Sequence, residues 1–390
     1  MSSVSETGVS AVRDVPDSRT LPWWAFGLAN LAVVAVLAVG AWWLLVDPAW
    51  SPLDTYPQPY QAALFWTIIA VVWMAFTFGW LGPAGLPQPA RGLVGIGLTL
   101  AVGLGITLLL AHGYGAIDPS FAAAREGGAG YTTGQLIVLF AFFFYVTAVV
   151  NWGQWPWSAG TSQPHTGLGE LALLAVPTLA VYAVLTLPNL ATWGDPATAL
   201  LGVPTLVGWF YSLIVAVVVT GLLTENWPWR LAGSGGRMVL LSLIGNVALG
   251  TVLYYVLLGV AQLLMGGANA AALAEAGSLN THAAQLGVCW VFWMIAWPNI
   301  FGNRPTRLGD GVNFAARIAI TLALGALTYL FYYFVLAGAI LHEPQVVGGM
   351  HGDALGFMDW AVLWMLWYVL FLGSYGLPPA RTDDPVTATS

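Results

Sequence analysis

Ten stretches of mostly apolar residues divide this chain of 390 residues and constrain its fold more than any other feature. Each is long enough to cross the hydrocarbon core of a bilayer as a helix, which takes about 20 apolar residues. The stretches cover residues 23–46, 61–82, 91–112, 131–151, 167–188, 200–224, 236–265, 280–302, 313–338 and 354–374. We therefore predict an all-α, polytopic membrane protein with about ten transmembrane helices.

The domain organisation follows from the same stretches. We predict a single transmembrane bundle over residues 21–376, preceded by a disordered cytoplasmic tail at 1–20. A second short cytoplasmic tail is predicted at 377–390. Both tails are polar, and the N-terminal tail is rich in Ser, Thr, Asp and Arg.

The composition excludes most soluble functions. Only 7% of the residues are charged and 58% are apolar, whereas soluble domains carry about 25% charged residues. The net charge of −7 argues against a nucleic-acid partner, which needs a clustered basic surface. All ten basic residues are Arg, a bias that we read as that of a bacterial gene rich in G and C. The expected partners are the lipid bilayer and a small solute, and a homo-oligomer is left open.

The positions of the arginines predict the orientation. Cytoplasmic loops of membrane proteins are enriched in Lys and Arg. With ten spans and a cytoplasmic N-terminus, only Arg125 falls on the outer side. The nine arginines on the inner side are Arg13, Arg19, Arg91, Arg230, Arg237, Arg304, Arg307, Arg317 and Arg381. We therefore predict a plasma (inner) membrane protein with both termini in the cytoplasm.

A similar turn motif recurs after every second span. It begins with a Trp, and successive copies lie 75, 72 and 70 residues apart. Trp favours the membrane–water interface and Pro ends helices. The motif residues are Trp80, Trp155, Pro156, Trp227, Pro228, Trp297 and Pro298. The spacing predicts repeated two-helix hairpins, whose turns serve either as interfacial stops or as a cytoplasmic gate or docking face.

Several residues inside the spans are candidates for binding a solute. The sequence Val-Pro-Thr-Leu occurs in the fifth and sixth spans, and a proline within a span frees a backbone carbonyl that a solute can use. The alternative is a structural kink. Asn246 and one Trp of an aromatic stripe in the tenth span are polar or aromatic groups at similar depth, with helix packing as the alternative role. The predicted substrate-binding residues are Pro177, Thr178, Pro204, Thr205, Asn246 and Trp364.

Asp359 is the predicted coupling residue. It is the one acid placed within a predicted span away from the cytoplasmic ends. A carboxyl group inside a membrane is costly and is a functional candidate for that reason. Asp359 would bind a proton or another cation; the competing interpretation is an interfacial anchor whose charge reaches water.

No catalytic or metal-binding pattern is present in the sequence. The single Cys289 has no second thiol nearby, and the five histidines lack the spacing of a metal site. We therefore expect no enzyme activity, no catalytic residues, no bound metal and no cofactor. The predicted function is a transporter or permease of a small solute, apolar or aromatic among the options, working as a secondary transporter, either ion-coupled or facilitative. The alternative is a non-catalytic scaffold or a subunit of a membrane complex.

Overall fold

The computed structural model describes residues 20–381, and nearly all of them lie in helices. Ten of these helices are long and apolar enough to cross a membrane, so the chain is a multi-pass membrane protein, as predicted. They are α1 (Trp23–Leu45), α2 (Tyr60–Thr77), α3 (Ala90–Ala116), α4 (Glu126–Val150), α5 (His165–Leu185), α6 (Val203–Leu223), α7 (Gly236–Met265), α8 (Leu279–Phe301), α9 (Asp310–Ala339) and α10 (Ala354–Phe371). The predicted tails, 1–20 and 377–390, lie mostly outside the described residues. Only residue 20 and residues 377–381 of these tails belong to the described part.

Two spans end earlier than the apolar pattern predicts. The second was expected to reach residue 82 and the tenth residue 374, but α2 ends at Thr77 and α10 at Phe371. Each is followed by a glycine with a positive φ, Gly79 at 63° and Gly373 at 60°. A left-handed glycine ends a helix, whereas the apolar composition continues through the turn.

The helices alternate between two layers along the sequence. We call α2, α4, α6, α8 and α10 the inner helices, because 61–83% of the residues in their apolar windows are buried. The others are the outer helices, in which the same fraction is 22–28%. The inner helices contact one another in the cyclic order α2, α4, α6, α8, α10 and back to α2. They therefore form a closed five-helix ring.

Each inner helix packs most extensively against one outer helix: α2 with α3, α4 with α5, α6 with α7, α8 with α9, and α10 with α1; α8 also contacts α7 and α1. The first four pairs are consecutive in sequence, and the fifth joins the two ends of the chain. Glycines on three outer helices allow close approach, because an added Cβ would lie 2.6–2.9 Å from a Cα of the inner helix. The three approaches are Gly103 to Thr67, Gly250 to Leu213, and Gly325 to Trp290.

The ring has two ends, which we name by their loops. The acidic face consists of the loops that precede the inner helices, at 46–59, 117–125, 186–202, 266–278 and 340–353. It also carries the short helices Leu187–Leu190 and Gly267–Glu275 and an antiparallel pair of strands, β1 (Gln345–Val347) and β2 (Met350–His351). The Trp-Pro face consists of the loops that follow the inner helices, at 78–89, 151–164, 224–235, 302–309 and 372–381.

Candidate functional site

A cavity of about 190 Å³ lies inside the ring, and all five inner helices line it. Its lining residues are three or four positions apart on each helix, which places them on one face. Sixteen of the nineteen are apolar, and the other three are Tyr211, Asn299 and Asp359. The apolar ones are Phe65, Ile68, Val72, Phe76, Leu139, Phe142, Val146, Val149, Val150, Ile214, Val218, Leu222, Val291, Ile295, Val362 and Leu366.

The two ends of the cavity differ in their access to solvent. Near the acidic face, Leu139, Tyr211 and Asp359 are 6%, 5% and 7% exposed. Near the Trp-Pro face, Phe76 is 38% exposed and Asn299 is also exposed. Asn299 lines a second, surface cavity on that face as well. The central cavity is therefore open at its Trp-Pro end and closed at its acidic end.

Asp359 lies at the closed end. It is the sixth residue of α10, which starts at the acidic face, and its Oδ1 accepts a hydrogen bond of 3.2 Å from the Tyr211 hydroxyl. Its Oδ2 has no hydrogen-bond partner among the described residues. A buried polar atom without a partner costs free energy unless something else satisfies it. Asp359 therefore lines the closed end of an apolar cavity and carries one carboxyl oxygen without a hydrogen-bond partner.

Aromatic side chains close the ring on the acidic side of Asp359. The Trp42 ring of α1 contacts the rings of Tyr60 and Phe357, each with a centroid distance of 5.4 Å. Tyr60 also contacts the Trp360 ring, and its hydroxyl donates a hydrogen bond of 3.0 Å to the Gly356 carbonyl. These contacts join α1, α2 and α10 at the acidic end of the ring.

Outside the spans, the acidic face holds two carboxyl groups, those of Glu343 and Asp353, whose pKa is raised. Glu343 is 3% exposed and accepts a hydrogen bond from Tyr332, and burial raises its pKa to about 8. Asp353 accepts hydrogen bonds from Gln285 at 2.6 Å and Gln61 at 2.8 Å. Burial also raises the pKa of Asp353. Glu343 and Asp353 are functional candidates that sequence reasoning missed, since acidic loop residues are ordinarily solvated.

Most of the predicted substrate-binding residues lie away from the central cavity. Thr178 of α5 donates its hydroxyl hydrogen to the Leu174 carbonyl at 2.7 Å, one turn earlier. Thr205 accepts a hydrogen bond of 2.7 Å from Asn280. Pro177 and Pro204 are in the same two helices, Pro204 in the first turn of α6. The Trp364 ring packs edge-on between those of Trp360 and Trp367. Their binding roles stay predictions.

Asn246 belongs to a buried polar network between helices. Its Nδ2 donates to the Asn151 Oδ1 at 2.9 Å. Its Oδ1 accepts from Thr220 at 3.1 Å and from the Trp229 indole at 3.2 Å. Polar side chains commonly join helices in membranes in this way. The amide of Asn246 is therefore engaged with protein groups, and its role in binding a solute also stays a prediction.

The five inner helices end in the same backbone hydrogen bond on the Trp-Pro face. In each, a backbone N–H reaches the carbonyl six residues earlier, at 2.8–3.0 Å. Such a bond satisfies a carbonyl that the helix end would leave without a partner. The five bonds run from Trp80 to Met74, Gln154 to Ala148, Asn226 to Thr220, Asn303 to Trp297, and Ser374 to Tyr368.

Side chains at three of these ends bind the neighbouring inner helix. The donor residue of each backbone bond also donates a side-chain amide hydrogen to a carbonyl at the end of the preceding inner helix. We call these contacts the staples of the ring. They are Gln154 to Thr77 at 2.7 Å, Asn226 to Asn151 at 3.0 Å, and Asn303 to Leu222 at 3.1 Å. The Trp-Pro end of the ring is thus held by hydrogen bonds between successive helices.

Two buried charged residues near this end, Arg317 and Glu170, are bound within the protein. Arg317 of α9 is 2% exposed, pairs with Glu225 at 2.8 Å and donates to the carbonyls of Pro305 and Leu223. Glu170 of α5 accepts hydrogen bonds from Thr77 at 3.1 Å and Gln154 at 2.8 Å. Neither residue lines the central cavity.

Comparison of this chain with protein families, with curated proteins and with solved structures found no match. The function is therefore argued from the site alone.

Proposed function

We propose that this protein is a membrane transporter of a small, largely apolar solute and that the central cavity is its solute site. The observation that carries the proposal is the cavity itself, which five helices enclose and whose lining includes Asp359, a carboxyl group with one oxygen that has no hydrogen-bond partner. Drug-sized ligands occupy pockets of about 300–1,000 Å³. A cavity of about 190 Å³ favours a smaller solute.

The access to the cavity favours a secondary transporter. A site that is open on one side and closed on the other is one of the two states that alternating access requires. The aromatic contacts of Trp42 and Tyr60 would be the barrier that separates when the acidic end opens. With the Trp-Pro face in the cytoplasm of a bacterial cell, this state faces inward. Asp359 would be the group that couples the solute to a proton or another cation.

The scaffold of the proposed transporter would be five two-helix units. Each unit would contain one inner helix and the outer helix packed against it, with α10 and α1 forming the fifth. The shared backbone bonds at 80, 154, 226, 303 and 374 support this proposal, as do the staples and the glycine approaches. In this scheme the Trp-Pro turns link one unit to the next and hold the cytoplasmic end together.

Transport by purified protein in proteoliposomes tests the proposal. We expect the wild-type protein to carry at least one member of a panel of small apolar and aromatic solutes. Val218→Trp, which fills the cavity, should abolish that flux. The matched control is Leu241→Trp, because Leu241 lies on α7, is 51% exposed and does not line the cavity. Equal flux through both variants would overturn the proposal, and a panel with no transported solute would favour a scaffold.

A further inference from the structure

The charges that line the central cavity restrict what can bind there. Asp359 is its one carboxyl group, and no Arg or His lines it. The titratable groups that interact electrostatically with Asp359 are Tyr211 of α6, Tyr60 of α2, Cys289 of α8 and Asp353 at the start of α10. None of these groups is a cation. A negative charge on Asp359 would therefore have no counter-ion from the protein residues around it.

A carboxylate in such a place needs a positive partner or a proton. An isolated charge inside a membrane protein is costly, and pairing or protonation removes most of the cost. The Oδ1 atom is held by Tyr211, whereas Oδ2 has no partner and the side chain is 7% exposed. One oxygen thus lacks a protein partner, and a proton and a bound cation would compete for it.

The rest of the lining favours an apolar body on that cation. Phe65, Phe76 and Phe142 contribute aromatic rings, and aromatic faces attract organic cations. A sugar or a polyol would leave its hydroxyl groups without partners, since Tyr211 and Asn299 are the only other polar residues of the lining. An anion would meet the carboxyl group of Asp359 and no basic side chain.

We propose that the solute is a small organic cation with an apolar body and that it exchanges for a proton at Asp359. This inference rests on the proposed transport function and names the class of solute. Because one carboxyl group serves both ligands, one monovalent cation replaces one proton. The net charge inside the cavity is then the same before and after the exchange.

Proton release by the purified full-length protein tests the exchange without any variant. Tetraethylammonium is the probe, and tert-butanol is a neutral apolar control. In weakly buffered detergent solution between pH 5 and 9, tetraethylammonium should release up to one proton per bound cation over part of that range. Binding of the cation with no proton release at any pH would overturn the exchange.

Transport in proteoliposomes distinguishes failure of this inference from failure of the proposed function. With an acidic interior, tetraethylammonium should accumulate inside as protons leave. Asp359→Asn should weaken binding and uptake by about tenfold or more, because it removes the only counter-charge. Glu170→Gln is the control, since Glu170 is a buried acid outside the cavity. One result would separate the two proposals: the wild type takes up tert-butanol or other neutral solutes, Val218→Trp blocks that uptake, and tetraethylammonium is not taken up. This result would overturn the inference that the solute is an organic cation, whereas the proposed transport function would stand.

Discussion

The acidic end and the Trp-Pro end of the inner helices are held together in different ways. At the Trp-Pro end, all five helices finish with the same backbone bond, and staples such as Asn226 to Asn151 join neighbours. At the acidic end, aromatic rings from α1, α2 and α10 contact one another, and the carboxyl groups of Glu343, Asp353 and Asp359 lie near the same end of the bundle. The Trp-Pro end is therefore regular in its contacts, whereas the acidic end is irregular.

The largest expected contrast between the two ends is their reactivity toward a membrane-impermeant maleimide. Asn299→Cys should react from the Trp-Pro side, because Asn299 is exposed. Leu139→Cys, at the closed end, should react at least about a hundredfold more slowly, since burial blocks the reagent. Native Cys289 is 0% exposed and serves as the internal control. Rapid labelling of Leu139→Cys by reagent added on the acidic side alone would show that the acidic end is not closed. Labelling of Asn299→Cys in sealed cells from outside would reverse the predicted orientation.

The second expected effect is a pH dependence of stability that arises at the acidic end. The pKa of Glu343 is about 8 in the folded protein, against an ordinary value of 4.5. The folded state therefore holds a proton that the unfolded state loses between these values, and the free energy of unfolding should fall as the pH rises from 4.5 to 8. Each pKa unit corresponds to about 1.4 kcal/mol, so the total is on the order of a few kcal/mol.

Glu343→Gln should remove this part of the pH dependence and should be more stable than the wild type at pH 8. Melting temperatures measured in detergent between pH 4.5 and pH 8 test both expectations. Glu275→Gln, which changes an exposed acid of the same face, should follow the wild-type curve. Superimposable curves for the wild type and Glu343→Gln would refute the assignment.

A smaller effect is expected from breaking a staple at the Trp-Pro end. Asn226→Gly introduces a residue that tolerates the positive φ of 63°, but it removes the partners of the Asn151 Nδ2 and of the Asn151 backbone carbonyl. Unsatisfied buried groups of this kind cost about 1–3 kcal/mol each. Asn303→Gly removes a single hydrogen bond to Leu222 and should cost less. Chemical or thermal unfolding in detergent would rank the two, and the reverse order would argue against the staples as described.

The smallest effect is expected from the aromatic contacts between α1, α2 and α10 at the acidic end. Tyr60→Phe keeps the ring contacts with Trp42 and removes the hydrogen bond to the Gly356 carbonyl. A bond of this kind contributes about 1 kcal/mol, so the closed state should become less favoured by about fivefold. Combined with Leu139→Cys, the change should raise the maleimide rate from the acidic side. If the double variant reacted at the same rate as Leu139→Cys alone, the Tyr60 hydroxyl would have no part in keeping the acidic end closed.

Much of the architecture was predictable from the sequence, and most of the cavity was not. Long apolar runs predict spans because a bilayer requires them, and a lone acid such as Asp359 is conspicuous among them. The cavity stripe on α6, from Tyr211 to Leu222, consists of residues that also occur on every buried face of a membrane helix. Which face points toward the ring centre depends on the packing of all five helices, so periodicity alone could not identify it.

The sequence was also unable to show whether the predicted binding residues bind a solute or other protein groups. Prolines, threonines and Asn246 attract notice because polar or helix-breaking groups are rare in spans. Within a bundle, however, such groups first satisfy the backbone and one another, as the bonds of Thr178 to Leu174 and Asn246 to Asn151 illustrate. The sequence pattern cannot tell these partners from a solute.

The staples have a mechanical consequence for the ring. Each of them ties the end of one inner helix to the end of the next, within 3.1 Å, and they all lie on the Trp-Pro face. A rigid helix that is held at one end moves most at its other end. When a stapled inner helix tilts, its displacement would therefore grow with distance from the staples and be greatest at its acidic end, for example beside Tyr60 of α2, so the stapled face would act as the pivot.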